Sequence, residues 1–184
     1  SAKIKFHPNT EIYLCLIYNL GMNNVIDRIK GIVVVSVQAM PSEPLYAESC
    51  MTAMMKSVVN GGAGALRVAG VRDVKIAKKL FTLPVIGLTK PNVIPKNYKE
   101  IVYITPTVKD VIDLVQAGAD IIATDATQRP RPNGEKLADL FKYIHINNRI
   151  AMADISTLEE GIKAKEAGAD ILSTTLADRK STRL

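Results

Sequence analysis

Lys90 closes the apolar run Val85-Ile-Gly-Leu-Thr89. Partial burial at such a strand end lowers an amine's pKa toward neutrality and suits it to act as a base or a Schiff-base nucleophile. The same side chain can instead snorkel from the strand into water. Arg67, after Leu66, offers a planar fork of donors to a carboxylate or phosphate, or an ion pair to Asp125 or Asp154. Asp125 and Asp154 close further apolar runs and can hold a substrate hydroxyl, bind a metal or orient Lys90. Gln38 ends the run that includes Ser36 and Val37, and Thr174 and Thr175 end the last one. A metal is the weakest of these options, because the two histidines are His7, near the start, and His145, which reads as a helix-surface residue. Cys50, beside Met51, Met54 and Met55, reads as core filling.

The elements that must position these side chains alternate in type. Short β-branched runs predict strands near 31–37, 64–68, 83–89, 119–125, 150–154 and 169–174. Helical stretches lie between them near 48–60, 71–80, 107–117, 134–147 and 156–167, the pattern of parallel βα units. The strands are apolar throughout, as in a sheet covered on both faces. An internal repeat supports this reading: Thr107 to Ile121 aligns without a gap to Thr157 to Ile171, fifty residues on, each copy giving a helix, a glycine stop and a strand. Thr107 with Asp110, and Ser156 with Glu159, have the spacing of an N-cap hydroxyl followed by a helix-favouring acid. Gly118 and Gly168 are placed to end the helices in the left-handed conformation. Gly61, Gly62 and Gly64 precede a strand and read as a tight turn rather than a phosphate cradle.

Such units close into a barrel or open into a doubly wound sheet. Neither the Gly-x-Gly-x-x-Gly fingerprint nor a Walker loop follows a strand. Near-identical repeats favour the barrel, and the expectation is a TIM-type (β/α)8 barrel of which about six of the eight βα units are present. Polar residues at the carboxyl ends of strands are then the ones to inspect.

Composition narrows the class. The 184 residues are 47% hydrophobic and 23% charged, with no tryptophan and 5% aromatics, which disfavours a stacking platform for single-stranded nucleic acid. The net charge of +6 is interspersed through the middle of the chain rather than gathered in a stripe, so no nucleic-acid partner is expected. No apolar run approaches the roughly 20 residues of a membrane span. Two cysteines build no disulfide framework, and a cytoplasmic location is expected. Met22 opens a helix-like segment, so 1–21 is expected to be a non-native leader and 22–177 the partial barrel domain. The run Asp178 to Leu184 interrupts the repeat and matches the translation of a sequencing adapter; 178–184 is expected to be an artefactual tail.

The strand ends carry a resemblance. Val35-Ser-Val-Gln-Ala-Met-Pro-Ser-Glu-Pro-Leu45, Leu83-Pro-Val-Ile-Gly-Leu-Thr-Lys90, Asp120-Ile-Ile-Ala-Thr-Asp-Ala-Thr-Gln-Arg-Pro-Arg-Pro132 and Met152-Ala-Asp-Ile-Ser-Thr-Leu-Glu-Glu160 stand collinear with Leu66-Arg67, Val102 to Thr107 and Thr174-Thr-Leu176. Together they resemble the N-acetylmannosamine-6-phosphate 2-epimerase family over about Met22 to Leu176. The resemblance implies a phosphate-binding barrel that interconverts N-acetylmannosamine 6-phosphate and N-acetylglucosamine 6-phosphate in sialic-acid catabolism, with no metal or organic cofactor. It implies that Lys90 is catalytic and that Gln38, Arg67 and Asp125 occupy substrate-site positions, with Asp154 beside them as a substrate-binding candidate. The partner is then an N-acetylhexosamine 6-phosphate, and the resemblance allows a homodimer at full length. The family's second acid–base group, a glutamate closing strand seven, and its phosphate loops have no counterpart before Ala177, so a chain of six units is expected to be inactive. Departures from the family pattern are Val37 for a cysteine, Val68-Ala69 for Ala-Asn, and Pro91 for an arginine. A Schiff-base aldolase of the same superfamily, and a sugar-phosphate-binding barrel without chemistry, are the alternatives.

Overall fold

A computed structural model describes residues 25–177. The expected leader 1–21 and tail 178–184 lie outside the described residues. Residues 25–29 are helical (α1), and five βα units and a sixth strand follow among the described residues. Their strands are β1 (Val34–Val37), β2 (Ala65–Ala69), β3 (Val85–Leu88), β4 (Ile121–Asp125), β5 (Ile150–Asp154) and β6 (Ile171–Ser173). Between them run α2 (Glu48–Asn60), α3 (Val71–Leu80), α4 (Val108–Ala117), α5 (Leu137–Ile146) and α6 (Leu158–Glu166). Every expected element is present, most of them shorter than the sequence suggests. Gly31, at φ +73, turns the chain before β1, and Pro132–Gly134 forms a separate 3-10 turn ahead of α5.

The six strands are parallel and paired in sequence order, β1-β2-β3-β4-β5-β6. Val34 pairs with Ala65, Leu66 with Val85, Ile86 with Ile121, Ile121 with Ile150 and Met152 with Ile171. The period-two alternation of strand side chains then sorts the sheet into two faces. Leu66, Val68, Val85, Ile122, Ala151 and Ala153 face the helices and form the larger core with Met51, Met55, Val74, Leu114 and Phe141. On the opposite face Ile86, Leu88, Ile121, Ala123, Ile150 and Met152 form a second cluster, against which Val25, Ile26 and Ile29 of α1 pack. This is the wall of a βα barrel, apolar on both sides, as the uninterrupted apolar strands require. Gly87 is needed here because a Cβ would come within 3.0 Å of Ala119 Cβ and Val74 Cγ2, where α3 and the β4 lead-in press against the strand.

The outermost strands each have one neighbour among the described residues, and apolar side chains beside them are open to solvent: Val33 and Val34 at β1, Leu158, Ile162 and Leu172 at β6. Among the described residues no helix is long and apolar enough to cross a membrane.

Both repeated helices are capped, with one correction. Thr107 and Asp110 form a capping box at α4, as the spacing predicts. At α6 the box is Thr157 with Glu160, one residue later than the expected Ser156 with Glu159. Ser156 still contributes, donating its hydroxyl to Glu160 Oε2 at 2.7 Å. Gly118 at φ +94 and Gly168 at φ +107 end the two helices in the left-handed region, as expected. The aspartate after each glycine repeats a further contact. Asp120 accepts the Val85 N–H at 2.9 Å and the Lys78 ammonium at 2.8 Å. Asp170 accepts the Ala151 N–H at 2.8 Å and faces His145 Nε2 at 2.8 Å.

Candidate functional site

The parallel register carries the inward-facing polar residues to one end of the sheet. Asp125 and Asp154 are register partners at the carboxyl ends of β4 and β5, and both are fully buried. Gln38 stands one residue beyond β1, and Lys90 two beyond β3. Arg67 lies mid-strand in β2, level with Ser36 and Ile86, and reaches across the inner face.

Two bonded pairs result. Lys90 Nζ donates to Gln38 Oε1 at 2.8 Å. Arg67 grips Asp154 through both nitrogens of its fork, Nη1 to Oδ1 at 3.1 Å and Nη2 to Oδ2 at 2.6 Å. Thr175 adds a third bond, its hydroxyl donating to Asp154 Oδ1 at 2.7 Å. Of the two roles open to Arg67 in the sequence, the ion pair with Asp154 is the one formed. Burial pushes the Lys90 amine below the ordinary lysine range, and the positive charge of Arg67 pushes it the same way, while Asp154 and Glu43 oppose the shift. An amine so placed loses its proton at lower pH than a surface lysine, which is what a base requires.

Asp125 is held differently. Its Oδ1 accepts the N–H and hydroxyl of Thr127 at 2.9 and 2.7 Å. Its Oδ2 is buried with no hydrogen-bond partner, and the nearest cation, Arg129 Nη1, stands 3.9 Å away. A buried carboxylate oxygen left unpaired is costly, and a hydroxyl or amide donor from a ligand would satisfy it. Beside it, burial raises the Tyr103 phenol above its ordinary value, and Asp125 adds to that effect.

Sequence reasoning did not find the residues that frame this site. Arg131 donates to the carbonyl oxygens of Pro106 and Asp125 and to Thr124 Oγ1, tying the loop after β4 to the start of α4. Burial pushes its guanidinium below the usual arginine range, with Asp125 and Glu135 opposing. Thr105, at φ +42, receives the Thr89 N–H on its hydroxyl at 3.0 Å and a hydroxyl bond from Thr124 on its carbonyl at 2.8 Å. The signal for Arg131 was its setting between two prolines; nothing in the sequence marked Thr105. A cavity of about 720 Å³ opens at the ends of β5 and β6, lined in part by Ser156, Thr157, Ser173, Thr174 and Thr175, the last of which bonds Asp154.

Comparison with known proteins gives a consistent picture. The family model described as "Putative N-acetylmannosamine-6-phosphate epimerase" matches residues 51–182. A relative of Clostridium perfringens (strain 13 / Type A), described as "Putative N-acetylmannosamine-6-phosphate 2-epimerase", is 46% identical over 154 residues, or 83% of this chain and 67% of the relative. A protein of Clostridioides difficile (strain 630) with the same description is also 46% identical over 154 residues, with the same shares covered. The solved structure of the N-acetylmannosamine-6-phosphate 2-epimerase from Clostridium perfringens superposes with a TM-score of 0.76 at 45% identity, covering 83% of this chain and 65% of that one. A dihydropteroate synthase from Coxiella burnetii, at 13% identity and TM-score 0.51 over 75% of this chain and 56% of that one, shares the fold alone. The chain thus spans about two thirds of the length of the curated relatives it matches.

Proposed function

The chain belongs to the N-acetylmannosamine-6-phosphate epimerase family, and on that premise we propose that its site moves a proton at C2 of an N-acetylhexosamine 6-phosphate. The observation that carries the reading is the half-buried Lys90 amine, pushed toward its basic form and aimed by Gln38 at the carboxyl end of the sheet. In the open-chain sugar the C2 proton is next to the aldehyde and weakly acidic. Lys90 takes that proton, the electron pair passes to the carbonyl oxygen, and an enolate forms. Return of a proton to the opposite face of C2 gives the epimer. A second acid–base group must serve that face, and the family resemblance gives this role to a glutamate closing strand seven, beyond the six strands described.

Asp125 is assigned to the substrate. Its unpartnered Oδ2 is ready to accept a sugar hydroxyl, and the Thr127 bonds hold the carboxylate in place for it. Gln38 orients Lys90. Arg67 and Asp154 are assigned as a preformed pair in the substrate-binding wall, each fixing the other's geometry.

The test is isotopic. The chain, completed with the remaining βα units of the Clostridium perfringens relative, is incubated with N-acetylmannosamine 6-phosphate in deuterium oxide and followed by proton NMR. Loss of the C2 proton signal is expected, together with its full retention in Lys90→Met. Unchanged exchange in Lys90→Met would overturn the reading.

A further inference from the structure

Gln38 is the hydrogen-bond partner of Lys90, and it stands just beyond β1, an outer strand among the described residues, where it opens a loop whose hydrogen bonds are mainly internal. From Met40 to Tyr46 the loop bonds mainly to itself. Glu43 Oε2 accepts the Met40 N–H at 2.6 Å, the Glu43 N–H donates to Met40 O at 2.8 Å, and the Tyr46 N–H donates to Glu43 O at 3.0 Å. Pro44–Tyr46 then forms a 3-10 turn with no side-chain cap.

One side chain from another element grips the far end of this loop. The Arg72 guanidinium lies over the Tyr46 ring, 4.1 Å from its centroid. Its Nε donates to Asp73 Oδ1 at 2.7 Å, and Asp73 is 1% exposed. A planar guanidinium fixed edge-on by a buried carboxylate and face-on by a ring has little freedom left. Arg72 sits in the first turn of α3, and only Gly70, at φ +92, separates α3 from β2, the strand that carries Arg67. The two arginines are therefore set by one rigid strand-to-helix turn: Arg67 beside Lys90, Arg72 on the loop that presents Gln38.

We propose that the Arg72–Tyr46 stack is a positioning device that clamps the Gln38 to Ala47 loop and through it fixes Gln38 against Lys90. This rests on the reading of Lys90 as the amine that serves the reacting carbon. Arg72 touches neither Lys90 nor Gln38 in the contacts above; it acts through the loop. The charged groups that bear on Lys90 are Arg67 from β2, Asp154 from β5 and Glu43 from the loop itself. Releasing the loop admits water to the amine and loosens Glu43, and burial is the larger of the two influences.

The test reads Lys90 directly in the 184-residue chain, by competitive labelling of amines with acetic anhydride across pH and mass analysis of the Lys90 peptide. Arg72→Lys keeps the charge and loses the planar stack; Tyr46→Ser loses the ring; Tyr46→Phe keeps it. The first two are expected to raise the Lys90 titration midpoint by about half to one pH unit, and Tyr46→Phe to leave it in place. In a Gln38→Ala background the same two substitutions shift the midpoint less, since the tie that holds the loop to the amine is already cut. A purely structural stack would lower the thermal midpoint and leave the Lys90 titration where it was, and that result would overturn the proposal. An equal shift with and without Gln38 would overturn it too. If the midpoint moves as expected while C2 exchange proves independent of Lys90, the epimerase reading falls and the clamp stands; the converse result removes the clamp alone.

Discussion

Asp120 and Asp170 make the same pair of contacts fifty residues apart: each carboxylate accepts the N–H of a residue at the start of the preceding strand and faces a basic side chain in the last turns of the helix before that strand. The Gly-Ala-Asp ending of the repeat is thus a bracket that joins one βα unit to the next. The donors of the backbone N–H bonds, Val85 and Ala151, are buried, and the basic side chains are partly solvated.

Replacing either carboxylate should therefore cost more than replacing the basic side chain it faces. Asp120→Ala and Asp170→Ala are expected to lose about 1–3 kcal/mol of stability each. Lys78→Met and His145→Leu should each lose less than about 1 kcal/mol, as partly exposed polar pairs do. Urea unfolding of the four variants measures both.

The Arg67–Asp154 pair behaves as a unit. Its side chains are 11% and 0% exposed, so removing one partner strands a charge in the interior. Asp154→Ala is expected to cost about 3–5 kcal/mol, and the double variant Arg67→Met, Asp154→Ala to recover a substantial part of it. A double-mutant cycle by denaturant unfolding gives the coupling; simple additivity would show that the two charges are independently solvated.

Lys90 links stability to pH. Its pKa is lowered in the folded state, so between that lowered value and the ordinary lysine value of about 10.4 the unfolded chain binds more protons. Stability contributed at Lys90 therefore rises with pH through that window. At pH 7 the folded state carries the cost of holding a half-buried ammonium, and Lys90→Met is expected to be the more stable protein there, with the difference closing as pH rises toward 10. Thermal melts from pH 6 to 10 follow it. On the proposed role of Lys90, C2 exchange in the completed enzyme is expected to rise with pH along a limb centred below the ordinary lysine value, and borohydride treatment is expected to trap no substrate on Lys90.

Glu160 gives the opposite slope. Burial pushes its carboxyl up, but hydrogen bonds from the Ser156 hydroxyl and the N–H groups of Ser156, Thr157 and Gln128 together outweigh it, leaving the group below its usual value. Its contribution is complete above the ordinary glutamate value of about 4.3 and is lost as pH falls through the folded-state value. Glu160→Gln should be destabilised relative to the parent at pH 7, with the difference shrinking below pH 4. Thr157→Ala is expected to cost about 1 kcal/mol at either pH, as a lost N-cap does.

What could be seen in the sequence followed from how local each signal was. Strands showed because both faces are covered and their residues are apolar without alternation, and Lys90 showed because it breaks such a run. The α6 cap was misplaced by one because Ser156 and Thr157 are both hydroxyls, and Glu159 and Glu160 both acids, so the spacing fits twice. The structure chooses Thr157, whose Glu160 faces inward and is buried. Thr105 and Arg131 were not legible, since residues 91–106 carry no period and the Arg131 bonds join backbone carbonyls far apart in the chain. The pairing of Arg67 with Asp154 was visible only as one option, because 87 residues separate them and register alone brings them level.

Strand order has a consequence for how the molecule is made. Among the described strands, each one after β1 pairs with the strand that precedes it in the chain, so its template is translated before it is. Each template among these strands is available when its partner emerges, and the edge that receives the next strand is the growing one. Such an order favours assembly from β1 toward β6 over a late search among distant segments.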